Sequence, residues 1–245
     1  MIKEINTDGI VIRSDKYGEN GRLLYFLTPD HGIISIVKHG FNSKKNIGRS
    51  ILQPMNYVKL EIIEEKNKYK INDFELLDNF DYIRSNYDRI ETILNIFTVL
   101  NKLPLNDLDG NRMIFFLVKK LLEATDKNTE FSSNNTKIYF YYQLAWCLGI
   151  NFNISTKCSV CSSNEKLEYI DISNGNLLCK NCKSTSEYSF PVSENLSKIL
   201  IDISEVKFDR IYKIKDQKDH IRKEFINMFN LYTDFHINHK IVSEI

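Results

Sequence analysis

Four of the five cysteines fall in one stretch, KCSVCSSNEKLEYIDISNGNLLCKNCK, as Cys158, Cys161, Cys179 and Cys182. They form two C-x2-C pairs, seventeen residues apart. Each pair suits a tight turn that aims both sulfurs inward, and two such knuckles complete a tetrahedral all-sulfur site of the zinc-ribbon type. Four thiolates leave no open coordination position for water, so the chemistry expected of this block is structural: a Zn2+ clip. The segment between the pairs, KLEYIDISNGNLL, reads as a hairpin around an Asn-Gly turn. It holds too few apolar residues for a core of its own, and metal binding would contribute on the order of 10 kcal/mol to its folding. The rival reading is a dithiol redox site. One C-x-x-C would leave that open, but two pairs without a surrounding βαβ pattern argue for the metal. Cys147, beside Leu144, Ala145, Trp146 and Leu148, reads as a small buried apolar residue.

A closed metal site does no chemistry, and the rest of the chain offers little that catalyses. It contains no G-x-x-x-x-G-K-[ST], no H-E-x-x-H and no G-x-S-x-G. The acidic residues are scattered, and the five histidines (His31, His39, His220, His236, His239) gather no carboxylates around them. The reading is therefore not an enzyme. A sharper feature is electrostatic. The net charge is +1, yet no acidic residue stands between Asp30 and Glu61. That window carries Lys38, Lys44, Lys45, Arg49 and Lys59 with His31 and His39. Cations without counter-charge make a local field even in a nearly neutral chain. Phe41 lies among them, and aromatic groups near cations are the ingredients of a surface for single-stranded nucleic acid. The candidate DNA-binding residues are Lys38, His39, Phe41, Lys44, Lys45 and Arg49.

The elements that must position these residues change character near residue 80. Before it, GIVIRS, RLLYFLT, GIISIVKH, YVKLEII and KYKINDFELL are short β-rich runs separated by turn signals. Five such strands suit a small barrel, a scaffold that often takes oligonucleotides. After it the apolar period becomes helical: Ile90, Ile93, Leu94, Phe97 and Leu100 share one face, and Ile114, Leu117, Val118, Leu121 and Leu122 another. Further helices are expected over NTKIYFYYQLAWCLGI, SENLSKILIDISE (with Ser193 as N-cap) and DHIRKEFINMFNLYTDFHI. The expected class is α+β: a five-stranded barrel over 1–80, then a helical domain over 81–245 with a ribbon inserted at about 155–188. The first twenty residues have no secretory pattern and no stretch reaches membrane-spanning length, so a cytoplasmic protein is expected.

The stretch GIVIRSDKYGENGRLLYFLTPDHGIISIVKHGFNSKK resembles the bacterial recombination-mediator family RecO. The likeness rests on Tyr17-Gly18-Glu19, Thr28, Gly32, and Lys38 with Gly40. It continues through Leu52, Gln53 and Pro54, the four-cysteine block, and the ending YTDFHINHKIVSEI. His39 separates Lys38 from Gly40, which stand together in many members. The resemblance implies an N-terminal OB-fold, binding of single- and double-stranded DNA, annealing of complementary strands without ATP, and a nucleoid-associated location. It further implies work with RecR and single-strand-binding protein to load the recombinase RecA. From the residues alone, a ribbon-bearing RNA-binding or translation-associated protein and a thiol-dependent enzyme stand as alternatives.

Overall fold

The computed structural model describes residues 2–41, 48–66, 68–103, 108–127, 130–238 and 240–242. The chain forms two compact units, residues 1–127 and 128–245.

The first unit opens with β1 (Ile2–Tyr17), β2 (Gly21–Thr28), β3 (Gly32–Lys38), β4 (Tyr57–Glu65) and β5 (Lys68–Asp78). The sheet order is β3-β2-β1-β4-β5 and every pairing is antiparallel. β3 also packs against β5, which curls the sheet into a five-stranded barrel and covers its edges. The long first strand makes this possible. Its first half pairs with β4 from Ile2 to Ile10, its second half with β2 from Ile10 to Tyr17, and the register slips between Val11 and Arg13. A bulge of this kind bends a strand from one neighbour to the next. The sequence pattern placed this strand at Gly9–Ser14; it begins earlier because Ile5, Thr7 and Gly9 alternate inward while Glu4, Asn6 and Asp8 do not. The barrel core is Val11, Leu24, Phe26, Ile34, Ile36, Leu52, Val58, Leu60, Ile62 and Ile71, with Ile5 and Phe41 completing it. A short helix, α1 (Gly48–Ile51), lies between β3 and β4.

Helices α2 (Asp81–Arg84), α3 (Tyr87–Leu100) and α4 (Leu108–Lys127) belong to the same unit. Asn86 caps α3 by accepting from the Arg89 N–H, satisfying an otherwise orphaned first-turn donor. Ile93, Phe97 and Leu100 are buried as their spacing predicts, but Leu94 is exposed. The inward face is rotated toward Arg89, Thr92 and Ile96. Arg89 can be buried there because its guanidinium donates to the Thr125 carbonyl and lies 5.0 Å from the Tyr82 ring centroid. α4 is fixed to the barrel by a salt bridge from Arg112 to Asp30 (2.7 Å) and by Lys119, whose Nζ lies 3.2 Å from the Tyr57 hydroxyl. That hydroxyl donates to Asp8. Gly32, at φ +61°, sits under Asn111 of α4; a Cβ there would come within 2.9 Å of the amide nitrogen. Glycine thus serves both the left-handed turn and the close approach.

The second unit contains α5 (Ser133–Cys147), β6 (Leu167–Asp171), β7 (Asn176–Cys179), β8 (Ser189–Pro191), α6 (Glu194–Glu205) and α7 (Asp219–Ile237). Ser132 and Ser193 cap α5 and α6, each hydroxyl accepting a first-turn N–H. Aromatic rings fill this core. Phe152 stacks between Tyr142 (5.2 Å) and Tyr232 (4.2 Å), and Tyr141 of α5 meets Phe229 of α7 at 5.8 Å. The small sheet β7-β6-β8 docks on α6, where the Ser197 hydroxyl donates to the Leu167 carbonyl at 2.5 Å. No helix among the described residues is long and apolar enough to cross a membrane.

Candidate nucleic-acid interface and metal centre

The hairpin expected between the cysteine pairs is β6–β7, in antiparallel register from Leu167 opposite Cys179 to Asp171 opposite Asn176. Its turn is built by Asp171. The buried carboxylate accepts from the Ser173 N–H and hydroxyl, the Asn174 amide and the Ser186 hydroxyl. Burial alone would raise this carboxyl; those donors outweigh it and hold it below its ordinary value. Gly175, at φ +67°, closes the turn against the Tyr232 hydroxyl, 2.9 Å from where a Cβ would stand.

This hairpin brings the two knuckles together. The four sulfurs of Cys158, Cys161, Cys179 and Cys182 lie within 4.8 Å of one another. Those of Cys161 and Cys179 are 3.8 Å apart, which is about the separation that a tetrahedron with Zn–S bonds of about 2.3 Å requires. Three of the cysteines are buried and Cys161 is exposed. Cys158 is prepared for ionisation. Burial opposes its charge, but backbone N–H groups of Cys161, Cys179 and Val160 hold the thiol down at about 6; the Cys179 N–H is 3.4 Å from its sulfur. Cys182 is pushed the other way, to about 12, chiefly by its hydrogen bond with Cys161. Four adjacent sulfurs cannot all ionise without a cation among them. The donor set and its geometry therefore fit a soft, tetrahedral metal ion. Cys147 is buried and takes no part; burial pushes its thiol up to about 12.

The cations of the basic window begin where β3 ends. Lys38 ends β3, its ammonium 5.8 Å from the Phe74 ring centroid on β5. His39 follows, exposed, with its ring edge-on to Tyr17 at 6.0 Å. Arg49 is exposed on α1, and its carbonyl accepts from the Gln53 amide. Leu52 is fully buried in the barrel, and the Pro54 carbonyl accepts from Arg84 at 2.8 Å. The LQP residues thus hold α1 onto the barrel. Lys44 and Lys45 lie outside the described residues. One candidate is corrected: Phe41 is 5% exposed and belongs to the barrel core. Gly40, at φ +67°, reverses the chain just after His39. A ring in the core offers no face to a base, and Phe41 packs in the barrel core just past the end of β3 instead. An exposed aromatic beside His39 is Tyr17, 48% exposed. It stands in the YGE turn, where sequence alone gave it no more than a turn's role.

Two family models match the chain, "Recombination protein O N terminal" over residues 1–80 and "Recombination protein O C terminal" over residues 84–244. The chain belongs to the RecO family. Among curated relatives, "DNA repair protein RecO" of Caldanaerobacter subterraneus subsp. tengcongensis is 25% identical over 94% of this chain and 94% of its own length. The protein of that name from Thermodesulfovibrio yellowstonii is 26% identical over 86% of this chain and 84% of its own. That from Oceanobacillus iheyensis is 24% identical over 99% and 93%. The five-stranded barrel is accordingly the OB-fold of a RecO protein, followed by helices that carry the four-cysteine cluster. The N-terminal RecO model ends with the last strand, whereas in three dimensions α2–α4 group with the barrel.

Proposed function

We propose that this chain is a DNA-binding recombination mediator. It binds single- and double-stranded DNA, anneals complementary strands, and acts with RecR to help load the recombinase RecA on strands coated by single-strand-binding protein. What carries the reading is membership of the RecO family along the whole length, together with an acid-free run of cations within the OB-barrel part of the sequence. The mechanism is charge neutralisation. Two strands repel through their phosphates; a cationic rim lowers that repulsion and releases condensed counterions. Exposed rings, Tyr17 and His39, hold unpaired bases by stacking until complements meet. Contacts of this kind read phosphates and not base edges, so binding is sequence-tolerant.

Zn2+ is the ion proposed for the cluster, held by Cys158, Cys161, Cys179 and Cys182. When bound it supplies no reactive position, because four sulfurs close its coordination shell. The chain's own part is to present the thiolates, with N–H groups supporting Cys158. No catalytic residue enters this mechanism.

The test is strand annealing without nucleotide, comparing wild type with a Lys44→Glu/Lys45→Glu double variant. The variant is expected to anneal at least tenfold more slowly while retaining its metal. Equal rates would remove the basic loop from the mechanism. Competition between single-stranded DNA and RNA of equal length addresses the RNA-binding alternative, since a preference for RNA requires contacts to the 2′-hydroxyl.

A further inference from the structure

Cross-strand register reveals a group of cations that linear spacing conceals. Lys16 of β1 is paired with Arg22 of β2, and Arg22 is paired with Lys38 of β3. Residues directly opposite in an antiparallel sheet project to the same face. The three cations therefore stand in one row across three adjacent strands, spanning about 10 Å at the usual strand spacing of about 4.8 Å. The face is the inward one. Arg22 continues the column of Leu24 and Phe26, and Lys38 that of Ile36 and Ile34, all buried. The row stands where the apolar core ends, at the mouth of the barrel beside Phe74.

Among the described residues, no salt bridge neutralises it: no carboxylate pairs with Lys16, Arg22 or Lys38. Glu19, in the turn beside Lys16, is exposed and pairs with none of them. The Arg22 Nε is shielded from solvent and makes no hydrogen bond. Like charges directly opposite one another destabilise a sheet, and a buried guanidinium nitrogen without an acceptor adds to that cost. Three adjacent strands thus bring Lys16, Arg22 and Lys38 together on one face with no carboxylate bridging them among the described residues. A lone lysine would be a solubilising surface charge; a partly buried row is not.

We infer that Lys16, Arg22 and Lys38 form a phosphate-binding row, which carries the backbone of a nucleic-acid strand across the barrel mouth, transverse to β1, β2 and β3. The arginine, central and least exposed at Nε, takes a phosphate through its fork of N–H donors. The two lysines act as point charges on either side. This assigns binding roles to Lys16 and Arg22, which stand before the acid-free window of the sequence. It rests on the reading of the barrel as a nucleic-acid binder and adds a path for the strand.

The test is fluorescence anisotropy of a labelled thymidine oligonucleotide with the full chain over a salt series. A Lys16→Gln/Lys38→Gln variant is expected to flatten the log–log salt dependence by about 1.4, or about 0.7 per lost phosphate contact on single strands. Arg22→Gln should flatten it by about 0.7, and Arg22→Lys should keep the wild-type slope with weaker binding. The loss should be equal on a uridine oligonucleotide, because the row reads phosphates. A double variant with the wild-type slope would overturn the row while leaving DNA binding by the barrel in place. A wild-type chain that binds no oligonucleotide overturns both. Circular dichroism melts verify folding, and if Arg22→Gln does not fold, Lys16→Gln alone decides: Lys16 is exposed, and its loss should flatten the slope by about 0.7.

Discussion

Asp171 shows how one side chain positions a site it never touches. Its carboxylate gathers four donors from Ser173, Asn174 and Ser186, and in doing so fixes the turn that brings the two knuckles face to face. Hydrogen bonds to a charged group contribute about 1.5–3 kcal/mol. Asp171→Ala is therefore expected to destabilise the second unit by about 2 kcal/mol, read as a lower unfolding midpoint of the metal-loaded protein. The sign with pH follows from the depressed folded value. The carboxylate's contribution is fully present above the unfolded value near 3.8 and is lost as pH falls through the lower folded value. An unchanged midpoint in the variant would show that the donors find equal partners without the carboxylate. None of this was legible in the sequence, where Asp171 is one acidic residue in a strand. The cysteines were legible because ligand chemistry fixes their spacing. Phe41 was misplaced for the opposite reason: a ring among cations in sequence looks like a stacking group, and the reversal at Gly40 that turns it into the core is a property of the folded backbone.

At the scale of elements, the strands and helices were read well where one face is buried. α7 spans the residues its pattern predicts, Asp219–Ile237, and Ser193 caps α6 as expected. The first half of β1 was missed because half its residues are polar and its partner, β4, lies about fifty residues away. β8 was missed because three residues carry no period. The ribbon is the element whose stability depends most on what it binds. Its strands number five, four and three residues, short even for a sheet with a core. Freshly purified protein is expected to carry one zinc per chain by metal analysis. Cys158→Ser should lose it, since one of the four clustered sulfurs is removed. Chelation of the wild type should expose the 155–188 segment to protease while the helical circular dichroism signal largely persists. A preparation with clearly less than one zinc per folded chain would refute the ribbon assignment.

For the molecule as a whole, the governing quantity is where its charge sits and not how much it has. A chain of net charge +1 should bind a polyanion weakly if its charges were evenly mixed. Here Lys16, Arg22 and Lys38 share one row across the mouth of the barrel, with His39 next in the chain. The field of such a patch falls off within about 8–10 Å at ordinary ionic strength, so distant acidic residues do little to cancel it at contact. Four to six phosphate contacts on a single strand imply a log–log salt slope of roughly −3 to −4. Oligonucleotide affinity should then fall by about two orders of magnitude between 50 and 200 mM salt, with little dependence on base sequence. Measuring binding of several unrelated oligonucleotides across that range checks both parts. A shallow slope with strong sequence preference would mean that bases and not phosphates are held. That result would contradict the electrostatic reading even if the strand still bound at the barrel.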